Sequence, residues 1–487
     1  MREFLFQLDA SGPISLQAQI RAHLVSAIRA GQLSANERVP SSRQLARALN
    51  VSRNTVSLAY LRLLDDGFLV VRERSGYFVS ESIPEPIKAI EPEADHDGIE
   101  WRERLRIRPS AQANIEKPQN WHEFDFPFIY GQVDHALFPI AQWRDCVRQA
   151  LGRKWLDNWT ADAQHHDDPM LVEQIRKRLL PTRGISAAPD EILVTLGAQH
   201  GLYMLSSLLV SEATTVALEN PGYPDLRNIF RLRTDRIIAA GVDAEGLVVD
   251  DTLGAAHIIC TTPSHQAPTN VTMSARRRTA LLAAAARSGA LIIEDDYESE
   301  THDDRSALPA LKAADHDGRV IYVGSLSKTL FPGLRLGYLV GPKEIIREAR
   351  ALRRLMLRHP PSNNQRTVAI FLALGHHDAL VARLKRAYAQ RWQALSAAFE
   401  RHAELPIGRP IRGGSSAWVE GPAWLDANAL AEQALAHKLI IEPGAIYHAQ
   451  APAPRHFYRL GFSSIDAKRI PAGIELLARL VREQRSC

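Results

Sequence analysis

Between residues 190 and 325 one alternation recurs: a short run that is apolar at nearly every position, then a stretch with helical spacing. "EILVTLG" precedes "AQHGLYMLSSLLV", "TTVALEN" and "AAHIICTTP" follow, "ARRRTALLAAAARSG" leads into "ALIIEDD", and "RVIYVGS" closes the series. Strands such as Leu291 to Ile293 carry no polar face, which suits a strand covered by helices on both sides. The alternation predicts an α/β architecture, a mostly parallel sheet with helices on both faces. Ligands of such sheets gather beyond the carboxyl ends of the strands.

The alternation occupies only part of the chain. At 487 residues the sequence is too long for one ordinary hydrophobic core. Its 45% hydrophobic and 23% charged residues support sizeable cores and exclude wholesale disorder. No stretch approaches the roughly 20 apolar residues of a membrane span. "MREFLFQLDASGP" lacks a basic region followed by an apolar signal core, so a cytoplasmic location without a membrane partner is expected. Cys146, Cys260 and Cys487 are far apart and lack metal-ligand spacing, so neither a disulfide framework nor a metal site is expected.

The net charge of +4 is localised. Residues 1 to 80 hold ten Arg, no Lys and six Asp or Glu, while the remainder is balanced. Localised basicity is a nucleic-acid footprint. From Leu16, "LQAQIRAHLVSAIRAG" sets Ile20, Leu24, Val25 and Ile28 at helical spacing, with Gly31 as a stop. In "VPSSRQLARALNVSRNTVSLAYLRLLDDG", Ser42 is placed to cap a short helix with Leu45, Ala48 and Leu49 inward. Ser52 is placed to cap a second containing Val56, Ala59, Tyr60, Leu63 and Leu64. Two short helices joined by a tight turn form a helix-turn-helix. Arg53, Asn54, Thr55 and Ser57 then fall at the N-terminal end of a recognition helix, where Arg can read guanine and Asn adenine. "FLVVRERSGYFV" reads as a hairpin wing with Arg72 and Arg74 at its tip. The DNA-contact candidates are Ser42, Arg43, Ser52, Arg53, Asn54, Thr55, Arg72 and Arg74.

This stretch resembles the DNA-binding domain of GntR-type bacterial regulators over nearly all of residues 11 to 80. After it, "SESIPEPIKAIEPEADHDG" is rich in Pro and acidic residues and lacks periodicity. The expected organisation is a winged helix-turn-helix over 1–80, a linker over 81–120 and an effector domain over 121–487. Its smaller subdomain is expected at about 121–160 plus 350–487.

The strand ends carry the chemistry. "LGAQHGL" opens a helix, so the backbone N–H groups of Gly197, Ala198 and Gln199 can face an anion. "ENPGYPD" puts Tyr223 in a turn where its ring could cover a planar ligand. "EDDYESE" ends a strand with Asp295, Asp296 and Tyr297. A carboxylate there can pair with a protonated pyridine nitrogen and a phenol with a ring oxygen, although such acid pairs also bind magnesium or act in acid–base chemistry. In "GSLSKTLFPGLRLGY", Ser325, Ser327 and Arg335 can hold one phosphate beside Lys328, an amine able to form a Schiff base. That pairing points to pyridoxal phosphate (PLP). "HFYRLGFSS" adds Arg459, whose guanidinium can hold a carboxylate through two parallel hydrogen bonds.

Residues 121 to 487 resemble the PLP-dependent fold type I aminotransferases, and the domain order resembles the MocR/GabR subfamily of bacterial regulators. The likeness rests on "LFP", "TLGAQ", "ENPGYP", "TPSHQAPTN", "IIEDDYESE", "SLSKTLFPGLRLGYLV" and "YRLGF". It implies that Lys328 forms the internal aldimine, Asp295 bonds the pyridine nitrogen and Tyr297 the phenolic oxygen, with Asp296 a rival to Asp295. It implies further that Ser325, Ser327 and Arg335 hold phosphate, Tyr223 stacks on the ring and Arg459 receives an effector carboxylate. A homodimer, possibly head-to-tail with exchanged domains, and a double-stranded DNA operator with paired half-sites belong to the same implication. The expected function is a transcriptional regulator that senses a small amino compound by external aldimine formation. The alternatives are a working aminotransferase with a DNA-binding appendage and a regulator that senses PLP itself. Three departures stand out. Asn270 occupies the usual Gly of "PTG", and Ala267 a position often aromatic. "ADAQHHDDPMLVEQI" lacks the Tyr that in related proteins helps bind phosphate from the partner subunit, leaving His165 or His166 as substitutes.

Overall fold

The computed structural model describes residues 7–82, 99–301, 308–402 and 414–485. The chain divides into two compact units, Met1–Arg104 and Leu105–Cys487.

In the first unit, helices Leu16–Arg29, Ser42–Ala48 and Arg53–Asp65 precede an antiparallel hairpin of Leu69–Arg72 and Gly76–Val79. Ile20, Leu24 and Ile28 of the first helix close over Leu45, Val56, Ala59, Tyr60 and Leu63. The Tyr60 hydroxyl donates to Pro40 O at 2.7 Å, which satisfies the polar end of a fully buried side chain. Ser52 caps the third helix by accepting from Thr55 N at 3.0 Å. The second helix corrects its expectation by one residue. Ser41 is the cap, because only from there does the third helical residue, Gln44, reach back to close a capping box; Ser42 is the first helical residue. Its buried residues are accordingly Leu45 and Ala46, with Ala48 exposed.

The second unit is built on an eight-stranded sheet. Its order is Ile192–Thr195, Gly337–Val340, Val320–Ser325, Leu291–Asp296, Ile258–Thr261, Val216–Asn220, Ile237–Asp243, Gly246–Leu247. The central strands pair in parallel; Gly337–Val340 and Gly246–Leu247 run against their neighbours. Neighbouring residues serve opposite faces. Ile293, Ile321 and Ile258 pack under helices Ala198–Leu209, Pro224–Arg231 and Lys343–Leu357, whereas Ile292, Val320 and Ile259 pack under Ala275–Ser288. That double burial is why these strands read as unbroken apolar runs.

A three-stranded sheet has Phe457–Gly461 at its centre, flanked antiparallel by Ser416–Glu420 and Glu442–Pro443. It shares a core with helices His376–Glu400, Ala427–Ala436 and Ile470–Arg485. No single helix among the described residues is long and apolar enough to cross a membrane. Most of the acidic linker, residues 83–98, lies outside the described residues. The end of the expected linker belongs to the second unit: Gln112 Nε2 donates to Asn228 O at 3.1 Å and Asn228 Nδ2 to Ala113 O at 2.9 Å.

Candidate functional site

The carboxyl ends of the large sheet surround a cavity of about 460 Å³. Ala198, Gln199, Tyr223, Asp295, Tyr297, Ser325, Ser327, Lys328, Arg335 and Arg459, drawn from far apart in sequence, all line it. Gly197 stands behind them. It caps the helix Ala198–Leu209 at φ +82°, and a Cβ there would sit 3.2 Å from Arg335 Nη2, so glycine lets the guanidinium approach the helix start. Arg335 Nη2 also donates to Leu196 O at 3.2 Å. Ser327 N donates to Ser325 Oγ at 3.3 Å. A helix N-terminus, two hydroxyls and a guanidinium on one wall form a cradle suited to a phosphate-sized anion.

The strand Leu291–Asp296 separates its two terminal acids by alternation. Asp296 accepts from Arg183 Nε at 2.7 Å and from the Tyr322 hydroxyl at 2.7 Å. Burial opposes its charge, yet Arg183 and Tyr322 hold the carboxyl below the usual carboxylate range. Asp295 instead faces the cavity, and its buried Oδ1 has no hydrogen-bond partner among the described residues. Burial, with the charges of Asp296 and Glu219, pushes this carboxyl up to about 7. Glu219 is half-buried and accepts from Thr261 Oγ1 at 2.6 Å and Thr262 N at 3.0 Å.

Lys328 is half-buried, its Nζ 4.1 Å from the centroid of the Tyr130 ring and 5.9 Å from that of Tyr297. Burial draws its ammonium down to about 8 against the pull of Glu298, and Lys117 and Arg459 add to the fall. Gly131, at φ +76°, leaves the amine its room: a Cβ there would lie 2.8 Å from Lys328 Nζ. Tyr223 donates its hydroxyl to Asp225 Oδ2 at 2.9 Å, and burial raises the phenol.

Arg459 occupies the central strand of the small sheet and is buried. Its Nε and Nη2 donate to Glu442 Oε2 at 2.9 and 2.6 Å, and the guanidinium lies 3.9 Å from the centroid of the Tyr130 ring. The arginine expected to meet an external carboxylate is thus already backed by an internal one. Burial disfavours the Glu442 charge, but Arg459 and Lys117 hold it below the usual range.

The departures have local explanations. Asn270 sits at φ +63° and donates Nδ2 to Ser416 O at 2.5 Å, so it supplies a left-handed backbone and a tie to the small sheet that glycine lacks. Ala267 lines the cavity. His165 and His166 are exposed, while their neighbours Asp167 and Asp168 are buried against Arg353 at 2.6 Å and Arg366 at 2.7 Å. Sequence reading passed over Lys117, Tyr130, Gly131, Arg183 and Glu442. No local motif marks them; each matters through a partner remote in sequence.

On the first unit, Arg43, Arg53, Asn54 and Arg74 are exposed, Ser42 and Thr55 half-buried. Ser52 Oγ and Thr55 Oγ1 lie 2.8 Å apart, so both serve the helix cap. Arg74 occupies the hairpin turn, but Arg72 bonds Asn36 and stacks 4.6 Å from the Phe78 ring centroid, which ties it to the body of the wing rather than its tip.

Residues 16–79 match the family of bacterial regulatory proteins, gntR family, and residues 158–477 match aminotransferase class I and II. The chain is similar to the HTH-type transcriptional regulator TauR of Rhodobacter capsulatus, 43% identical over 98% of this chain and 99% of that protein. It is similar to the HTH-type pyridoxine biosynthesis transcriptional regulator PdxR of Corynebacterium glutamicum, 30% identical over 84% and 83% of the two chains. The probable rhizopine catabolism regulatory protein MocR of Rhizobium meliloti is 29% identical over 81% and 79%. Among solved structures, the kynurenine aminotransferase of Pyrococcus horikoshii superposes with a TM-score of 0.71 at 25% identity, covering 79% of this chain and 98% of that one. The alpha-aminoadipate aminotransferase LysN of Thermus thermophilus gives the same score and identity over 79% and 99%. With its gntR-type winged helix joined to an aminotransferase fold type I domain, the chain belongs to the MocR/GabR-type HTH transcriptional regulators.

Proposed function

We propose that this regulator binds PLP at Lys328 and senses a small amino compound that carries an acid group. The observation that carries the reading is the buried, unpartnered Asp295 Oδ1, which shares one cavity with a lysine amine and an anion cradle. A carboxyl with one open acceptor fits a pyridinium N–H, and the cradle fits a phosphate. Bound there, PLP supplies an aldehyde that condenses reversibly with amines and a ring that withdraws electrons.

The residues divide the work. Asp295 would hold the ring nitrogen and Tyr297 the phenolic oxygen, with Tyr223 over the ring. Ser325, Ser327, Arg335 and the backbone at Gly197, Ala198 and Gln199 would hold the phosphate. Lys328, drawn down to about 8, keeps an appreciable neutral fraction near neutral pH and so serves both as nucleophile and as an amine that can be displaced. Arg459 would take the effector's acid.

The winged helix, through Ser42, Arg43, Ser52, Arg53, Asn54, Thr55, Arg72 and Arg74, would meet a double-stranded operator in the cytoplasm. A homodimer would match its paired half-sites. Effector binding changes operator affinity only through unequal affinity for two states of the protein. Borohydride trapping followed by peptide mass spectrometry tests the assignment. Label on Lys328, together with loss of visible cofactor absorption in Lys328→Ala, is expected. A labelled lysine elsewhere, or an unchanged spectrum in the variant, overturns it.

A further inference from the structure

The acid-reading end of the cavity holds more charge than Arg459 alone. Three cations surround the Tyr130 ring: Arg459 Cζ lies 3.9 Å from its centroid, Lys328 Nζ 4.1 Å and Lys117 Nζ 5.5 Å. Lys117 and Lys328 face the same few ångströms of space, since the position of a Cβ on Gly131 is 2.8 Å from Lys328 Nζ and 3.9 Å from Lys117 Nζ. Two carboxylates answer them from behind the wall. Glu442 lies 3.5 Å from Lys117 Nζ and 2.6 Å from Arg459 Nη2, and Glu298 accepts from the Tyr130 hydroxyl at 2.9 Å. Glu442 is shared by Lys117 and Arg459, so these two cations divide one carboxylate between them, while Lys328 is reserved for the aldehyde. Lys117, Lys328 and Arg459 line the cavity, whereas Glu442 and Glu298 do not.

Donor capacity is also left over. Lys117 Nζ donates to Tyr130 O at 2.6 Å and pairs with Glu442, which leaves one of its three protons without a partner among the described residues. Arg459 gives Nε and Nη2 to Glu442, and its Nη1 makes no hydrogen bond among the described residues. Lys117 reaches this place because residues 112–113 are fastened to Asn228, which carries the following chain along the cavity.

We propose that Lys117 and Arg459 form a two-cation clamp for the effector's acid group, with Lys117 the residue that makes the regulator prefer an amino acid to a plain amine. The proposal rests on the PLP-dependent reading above. The clamp joins Arg459 of the small sheet to the segment that precedes Trp121, so occupancy is felt on the stretch of chain that leads back toward the DNA-binding unit in sequence.

The test uses full-length, PLP-loaded protein titrated with 3-aminopropanoate or with n-propylamine, read by the cofactor spectrum and by thermal unfolding of the same samples. Wild type is expected to prefer the acid-bearing probe. In Lys117→Met that preference is expected to fall about ten- to a hundredfold, as for loss of one charged hydrogen bond, and in Lys117→Arg to be largely retained. If Lys117→Met does not load cofactor, Lys117→Gln, which can keep the bond to Tyr130 O, carries the same expectation. A wild-type preference unchanged in the loaded variant, or absent from wild type, overturns the clamp while leaving the cofactor assignment intact. Absence of a cofactor band from wild type removes both.

Discussion

Asp295 and Asp296 differ by one position, and their substitutions separate binding from stability. Asp295→Asn removes the charge that faces the cavity and leaves the fold's ion pairs untouched. Cofactor affinity is expected to fall about ten- to a hundredfold by equilibrium titration with little change in unfolding. Asp296→Asn strands the buried Arg183 guanidinium, 2.7 Å from that carboxylate. A loss of about 3–5 kcal/mol in chemical denaturation is expected, and a variant as stable as wild type would refute the pairing. Lys328 makes a prediction about pH. Its ammonium is lowered to about 8, so the nucleophilic neutral amine grows as pH rises through that value. The rate of PLP uptake by cofactor-free protein is expected to climb between about pH 7 and 9 and then level; a flat profile counts against attack by this lysine.

At the scale of elements, the turn containing Asn270 joins the large sheet to the small one. Asn270→Ala combines left-handed strain with loss of the bond to Ser416 O, so a cost of about 1–3 kcal/mol is expected on unfolding. Asn270→Gly relieves only the strain and should fall between that variant and wild type. The elements also show what could be read before any coordinates. Period and double burial made the strands visible, and ligand chemistry at strand ends follows from the architecture, so Lys328, Arg335 and the pair Asp295 and Asp296 could be chosen from local pattern. Arg183 could not, because its partner lies 113 positions away. Glu442 and Lys117 were invisible for the same reason. The choice between Asp295 and Asp296 needed the sheet's facing, and the shift of a cap from Ser42 to Ser41 needed the reciprocal bond from Gln44. Helix and strand signals are local; the ion pairs that finish the site are not.

For the whole molecule, the excess of arginine in the first 80 residues predicts an electrostatic contribution to operator binding. The logarithm of affinity should fall linearly with the logarithm of salt concentration, and Arg53→Ala should weaken binding by about 1–3 kcal/mol without altering cofactor loading. Unchanged operator affinity in that variant would remove Arg53 from the interface. The same sensor residues would serve transamination, so an assay with an amino donor and a keto-acid acceptor decides whether regulation is the only output. Slow or single turnover is expected, and sustained multiple turnover would add an enzymatic role.

The anchoring of Gln112 and Ala113 on Asn228 sets where the sensor half can be cut free. The match to the aminotransferase class I and II family begins at residue 158, yet a polypeptide started there, or at Trp121, discards Lys117 and the strap that carries it across helix Pro224–Arg231. One started at Leu105 keeps both. The shorter pieces should melt earlier and take up ligand less tightly than the longer, which makes an apparently dispensable tether part of the receptor.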